Sequence, residues 1–474
     1  MRNWIRKAGI PATAALAVVL SGCDLEVLNP GAIQDADLNS PDLMGVLVNG
    51  VSSEYNDFQD DLAFDIAILA DEASGTGSYS TTQLYRTGFY DNRDSEGNWA
   101  QTHESRWSAE QAIERLQEVL GSDYGSNVDA ARAWVMKGFA NVRLGENFCY
   151  AIYNVTAPQP RSAAFDSAIV AFQTAIGIAQ AAGSNGDAWE LAALAGIAQA
   201  RLNKAREGTG TFADASSAAA AAITAGADLD WVDAAIYDQN ADVNLFWTET
   251  WGRAEYGVYN TLAERMANGP DGIYQTADDD PRVEYLKCGE WDDDPPVLGA
   301  VTATGECGGS DGSSGAHQGA DGQHAHYRQN VYTERGSDIP RASGAEMRLI
   351  QAEAAFEAGD LPTFNGHIAA VRAHYGLPAT PAATVGTFNW PNDVASTEAA
   401  DILDRERYAT LWLQGRRLYD MDKWDMSEFF AGGPAIGIQI VGGVSVVNRA
   451  RCMPIPNQEC LLNPEATGTA ACSG

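Results

Sequence analysis

The sequence predicts a mainly α-helical protein in which helical pairs stack into a superhelix beside an irregular, loop-rich lobe. Three observations predict it. Ala-rich segments with helical spacing fill about 101–226 and 343–424, separated by short runs of Gly, Ser, Asn and Pro. Small residues recur along the helix faces, as at Ala168, Ala171, Ala175 and Ala179, which lets large side chains of a neighbouring helix seat against them. The intervening stretches, about 72–100 and 230–340, abandon that period for Gly, Asp, Ser, Asn and aromatic residues. The pattern alone suits a tetratricopeptide-like array and a generic helical bundle equally, because the repeat period is not clean.

At the N-terminus, Arg2, Arg6 and Lys7 precede an apolar run from Ala8 to Leu20, too short to span a bilayer and shaped like the core of a signal peptide. Leu20-Ser21-Gly22-Cys23 follows, and small residues before a Cys resemble the lipobox of bacterial lipoproteins. That resemblance implies a signal peptide over 1–22, cleavage before Cys23 and acylation of its thiol. Residues 23–40 read as an extended tether, and 41–474 as a single body. No second stretch of 18 apolar residues is read in the sequence, so nothing else is expected to span a membrane and the expected attachment is the lipid alone.

The first helix should start behind Ser40-Pro41-Asp42, with Leu43, Val46, Leu47 and Val51 on one face. Further helices are expected at 105–120, 127–145, 162–182, 187–206 and 212–224, then at 343–358, 361–375 and 396–424. Long loops with short strands are expected over 269–335. The tail, 434–474, carries a short apolar run, Ile436 to Val447.

Composition narrows the function. The chain has 474 residues, 45% hydrophobic and 20% charged, the proportions of a globular protein. Its formal net charge is −34, which repels phosphate backbones and argues against nucleic-acid partners and against binding anionic lipid through the body. Solvated acidity favours neutral ligands or divalent cations. No Gly-x-Ser-x-Gly or His-Glu-x-x-His motif supports a hydrolase or protease.

Seven Cys are present; with Cys23 acylated, Cys149, Cys288, Cys307, Cys452, Cys460 and Cys472 allow three disulfides in an exported protein. Cys288–Cys307 would staple a Gly/Asp-rich loop. Cys452 has Cys460, Cys472 and the distant Cys149 as alternative partners. No CxxC pair favours zinc. Asp271, Asp278, Asp279 and Asp280 place oxygen ligands in a Gly-rich loop, a chemistry that suits Ca²⁺ without EF-hand spacing. His317, His324 and His326 lie in a Gly-rich stretch with no third fixed ligand.

Several segments together resemble the SusD/RagB family of outer-membrane nutrient-binding lipoproteins. Asp338-Ile339-Pro340-Arg341 followed by Glu346-Met347-Arg348-Leu349-Ile350-Gln351-Ala352-Glu353-Ala354 looks like one family helix. Asp404-Arg405-Glu406-Arg407 through Gly415, Arg417 and Asp420 to Trp424 looks like a second. The tail adds Pro454-Ile455-Pro456, Glu459 and Asn463-Pro464, and Ala133 to Gly145 with Glu146-Asn147-Phe148 is a weaker fourth match. The departures are Gln414 where Glu is usual, Glu146-Asn147 in place of Gly-Asp, the extra Cys, and a chain somewhat short for the family, which suggests trimmed ligand loops.

The resemblance implies a tetratricopeptide-like arc with a loop-rich lobe, displayed on the outer membrane. It also implies capture of oligosaccharides, in some members peptides, for a TonB-dependent SusC-like transporter, without catalysis. Sugar binding needs aromatic platforms with amides and carboxylates around them. Tyr79, Tyr85, Tyr90, Asn92 and Trp99 offer these in the first loop, and Tyr285, Trp291, Tyr327 and Arg328 in the second. Glu346, Glu353, Glu406, Arg407, Arg417 and Asp420 fall on helices and are expected to form structural ion pairs. A tetratricopeptide lipoprotein that scaffolds an outer-membrane assembly is the alternative, and an acidic glycosidase a third reading.

Overall fold

The structure, a computed structural model, describes residues 39–424 and 451–472, apart from gaps at 71, 87, 89, 260, 268–273, 275–278, 293–297, 309–315 and 387–395. The signal peptide, most of the tether including Cys23, and the apolar run of the tail lie outside the described residues.

The helices run in order: α1 (Met44–Leu69), α2 (Ser80–Tyr85), α3 (Glu96–Leu120), α4 (Val128–Asn147), α5 (Ser162–Ala181), α6 (Asp187–Arg206), α7 (Phe212–Ala225), α8 (Leu262–Ala267), α9 (Gly344–Glu357), α10 (Leu361–His374), α11 (Ala399–Thr410), α12 (Arg417–Lys423) and α13 (Asn457–Leu462). From α3 to α7 each helix packs on the next, and α9 rests on both α7 and α10. This is the expected architecture of paired helices.

Three expected boundaries move. The buried face of α1 is Met44, Val48, Val51 and Tyr55, whereas Val46 is exposed. α3 starts nine residues before the expected 105, because Asn98, Trp99 and Thr102 continue its buried stripe. The segment 396–424 divides into α11 and α12 where Leu413 and Gly415 take positive φ, and Gly415 lies against the backbone of Ala63.

The close fit of α4, α5 and α6 has a specific cause. The Phe172 ring of α5 fills the space a Cβ would need at Gly138 of α4 and at Gly196 of α6; built there, those carbons would lie 2.4 and 2.2 Å from ring atoms. Only glycine lets both helices close on the ring. α5 has the length and apolarity of a membrane-crossing helix, which the sequence reading did not register, but its Ala/Phe face is buried between α4 and α6.

Ion pairs lock the helical body. Glu146 at the end of α4 meets Arg143 (2.6 Å) and Arg416 (2.8 Å), and Arg416 reaches Glu346 of α9 (2.9 Å). Arg206 of α6 bridges Glu353 (2.6 Å) and Asp420 (2.7 Å); Arg407 meets Asp420, Arg417 meets Asp404, and Arg282 meets Glu406. All these side chains are buried. Burial alone would raise the Asp420 carboxyl, but Arg407 and Arg206 outweigh it and bring it down to about 2. The family-motif residues therefore act as expected, as structural pairs.

The lobe is held by two-stranded pieces rather than one sheet. β1 (Ser74–Gly75) pairs with β5 (Tyr256–Gly257), β2 (Tyr150–Ala151) with β3 (Gln159–Pro160), and β4 (Val232–Ala235) with β10 (Ile339–Ser343). β6 (Tyr285–Lys287) pairs with β9 (Tyr327–Gln329), and β7 (Gly289–Trp291) with β8 (Val301–Ala303), all antiparallel. Three disulfides are formed: Cys288–Cys307 as expected, Cys149–Cys452, and Cys460–Cys472. Cys149–Cys452 reinforces a backbone strap in which the Cys149 N–H donates to Met453 O (2.9 Å) and the Met453 N–H to Asn147 O (2.7 Å).

Candidate functional site: an aromatic array in the loop lobe

The two candidate loops meet at their bases. Besides the β1–β5 pairing, the Thr76 N–H donates to Glu255 O and the Asp321 N–H to Thr76 O, each at 3.0 Å, and the Ser78 N–H donates to the Glu255 carboxylate at 2.7 Å.

The aromatics of the first loop nevertheless face inward. Tyr85 and Tyr90 are buried with rings 4.8 Å apart. Tyr79 is half-buried with Arg253 5.0 Å over its ring, and Asn92 gives its carbonyl to the N–H of Asn457 in the tail. Trp99 lies on α3 rather than in a loop, packed edge-on against Phe148 and beside His103, at the wall of a separate cavity. Arg328 is buried, its guanidinium 3.5 Å above the Trp251 ring.

The second loop set assembles a continuous row of rings. Trp291 faces Tyr259 (5.4 Å), Tyr259 meets Tyr327 edge-on (5.2 Å), Tyr327 stacks on Tyr285 (5.6 Å), and Tyr285 lies 5.0 Å from Tyr274. The β6–β9 register puts Tyr327 opposite Lys287, two residues along from Tyr285 and so on the same face, which lets the two rings overlap diagonally. Lys287 caps the row, its ammonium 4.6 Å from the Tyr274 centroid and 5.3 Å from that of Tyr327. The Tyr274 hydroxyl donates to Glu306 (2.6 Å) and accepts the Lys287 N–H (3.2 Å). Burial, then the nearby Glu264, pushes the Tyr259 and Tyr327 phenols up, so both stay neutral.

Beside this row lies a cavity of about 430 Å³ lined by Tyr274, Tyr285, Pro281 and Leu286, with Asp279, Glu284 and Asn330 as its polar groups. Tyr285 and Tyr327 are themselves buried (4% and 5% exposed) and back the half-buried Tyr274 ring, which with the surrounding carboxylates and amide forms a surface that can take the apolar face of a sugar ring and hydrogen-bond its hydroxyls. Of the nine expected ligand residues, Tyr285, Trp291 and Tyr327 are brought into one array. Tyr259 and Tyr274 were missed. The signal for Tyr259 was its place behind Trp251 and Tyr256.

The calcium expectation meets a competing partner. Asp280 also borders the cavity, but its two oxygens accept from Arg282 Nε (2.9 Å) and Nη2 (2.6 Å). Asp271 and Asp278 lie outside the described residues. Among the described residues no three His, Cys, Asp or Glu side chains converge as metal ligands. His324 pairs with Asp321, and burial pushes His326 down to about 3 and keeps it neutral.

Residues 324–466 match the SusD family. Over that span, about 30% of its length, the chain is similar to the SusD family. The match spans α9 to α13 and includes Glu346, Glu353, Arg407 and Asp420 of the buried ion network. No curated protein sequence matches the chain. Among solved structures it is similar to a SusD-like protein from Bacteroides fragilis (13% identity, 92% of this chain and 98% of that one, TM-score 0.65). It is also similar to a SusD superfamily protein from Bacteroides vulgatus (14%, 90% and 97%, TM-score 0.59) and to a laminarin-binding SusD-like protein (15%, 90% and 98%, TM-score 0.50). At these identities the likeness carries the fold: the chain has the fold of SusD-like proteins over most of its length.

Proposed function

We propose that this SusD-like protein is an outer-membrane, surface-facing lipoprotein, acylated at Cys23, that captures oligosaccharides and passes them to a TonB-dependent SusC-like transporter without altering them. The observation that carries the reading is the row Trp291–Tyr259–Tyr327–Tyr285–Tyr274 beside a polar-rimmed cavity in a SusD-like fold. The laminarin-binding relative supports a glycan as the ligand class. The test has two arms. Retardation of the protein in native gels containing neutral polysaccharides should be weakened in Trp291→Ala, with no release of reducing ends over hours. Mild-detergent extraction of the tagged full-length protein should bring down a β-barrel transporter. Recovery of assembly or cell-wall proteins instead, with no gel retardation, would favour the scaffold reading.

A further inference from the structure

Away from the lobe, the helical body carries a second aromatic surface. One cavity of about 400 Å³ lies between α3 and the tail, walled by Trp99, His103 and Trp107 on one side and by Pro456, Gln458 and Leu462 on the other. A neighbouring cavity of about 340 Å³ lies between α3, α4 and α5, with Trp134, Asn141 and Val170 in its walls. Tyr153 lines the second while its chain neighbours Ile152 and Asn154 line the first, so the two form one interrupted groove. It shares no lining residue with the lobe cavity.

Three features mark it as a binding surface. Its rim leaves large apolar side chains in water: Trp107 is 57% exposed and Leu462 73%. Its far wall is stapled, because Cys149–Cys452 and Cys460–Cys472 fix the tail on either side of α13. Asn154 is exposed at the rim and offers its amide to a ligand.

Its charges select the ligand. Arg106 and Lys137, the cations lining the groove, both pair with Glu110, at 2.7 and 3.1 Å. Burial and then Arg106 push His103 down to about 3, so it adds no positive charge. With a net charge of −34 around it, the groove offers an anion nothing. Helices and a short connecting segment form it, so an extended peptide finds no strand edge to join. Exposed indole and the rim amides of Asn154 and Gln458 suit a neutral sugar chain.

We propose that the groove along α3, between Trp107 and Trp134, is a second binding site for a neutral glycan, separate from the lobe array. The proposal rests on the glycan reading of the protein and extends it: two sites let one molecule hold two stretches of the same polysaccharide. The probe is a panel of soluble β-glucan, mannan, xylan and starch in native affinity gels. Trp107→Ala should weaken retardation by about tenfold, the share of one stacked ring, and Trp107→Phe should recover most of it. Trp107→Ala/Trp291→Ala should weaken retardation further than either change alone. Unaltered retardation in Trp107→Ala with weakening in Trp291→Ala overturns the second site and leaves the lobe reading standing. Loss in Trp107→Ala with none in Trp291→Ala supports the groove and overturns the lobe site. Wild-type protein that ignores the panel but binds a peptide library through Trp107 overturns the glycan assignment at both sites.

Discussion

The helical body and the loop lobe both bury polar side chains, and they satisfy them differently. In the body, Glu146, Glu346, Glu353, Asp404 and Asp420 each meet an arginine, tying α4, α6, α9, α11 and α12 together. In the lobe, polar groups pair mostly over short distances or with rings: Asp280 with Arg282, which also reaches Glu406 of α11, Asp321 with His324, and Lys287 and Arg328 with aromatic faces. One region fixes the relative placement of helices; the other fixes loop shape around a ring array. Damage to the first should appear as lost stability and damage to the second as lost binding.

The largest expected effect breaks the body. Arg416→Ala strips Glu346 of its arginine, while Glu146 keeps Arg143, and an uncompensated buried charge costs ~3–5 kcal/mol. Urea unfolding should show the midpoint drop, while glycan affinity of the folded fraction stays put. Next, Cys149→Ser/Cys452→Ser should cost about 2–5 kcal/mol, far more than Cys288→Ser/Cys307→Ser, which closes 19 residues against 303. Equal shifts in melting temperature for the two pairs would defeat that contrast. Gly196→Ala drives a methyl into the Phe172 ring and should cost about 1–3 kcal/mol, partly restored by Phe172→Leu.

A smaller effect is read in pH. Burial raises Glu72 to about 8 and Asp65 to about 7, so both are protonated in the folded state at mildly acidic pH. The folded state then holds protons that the unfolded chain has released, and stability falls as pH rises from about 4.5 towards 8. Asp420, held down at about 2, acts in the opposite sense: its contribution is present above the unfolded value of 3.8 and is lost as pH falls towards 2. Melting temperature should therefore peak on the acidic side of neutral, and Glu72→Gln should flatten the descending limb. The smallest stability effect belongs to Trp291→Ala: about 1 kcal/mol for a half-buried lobe side chain that loses its Tyr259 contact, against weakened glycan retardation.

The sequence was informative where physics is local or paired at long range by charge. α4 to α7 follow the expected segments closely, because an apolar stripe and Gly or Pro breakers define a helix without reference to its neighbours. Glu353, Arg407 and Asp420 were legible as ion pairs because charged residues on buried helix faces have few other uses. The ring array was only partly legible. Whether Tyr85 or Tyr285 lines a cavity depends on which strands meet, and fragments as short as β6 and β9 leave little periodic signal. Trp99 misled for the same reason: its loop-like surroundings hid the extension of α3.

The tail strap also has a consequence in time. A chain leaving the ribosome N-terminus first presents Cys149 long before Cys452, 303 residues later. The early thiol must wait, open to exchange with any other cysteine, until residue 452 is available to it. The wall that α13 gives to the groove beside α3 is therefore secured late, and an oxidised Cys149–Cys452 bond reports that the chain has been made at least as far as residue 452.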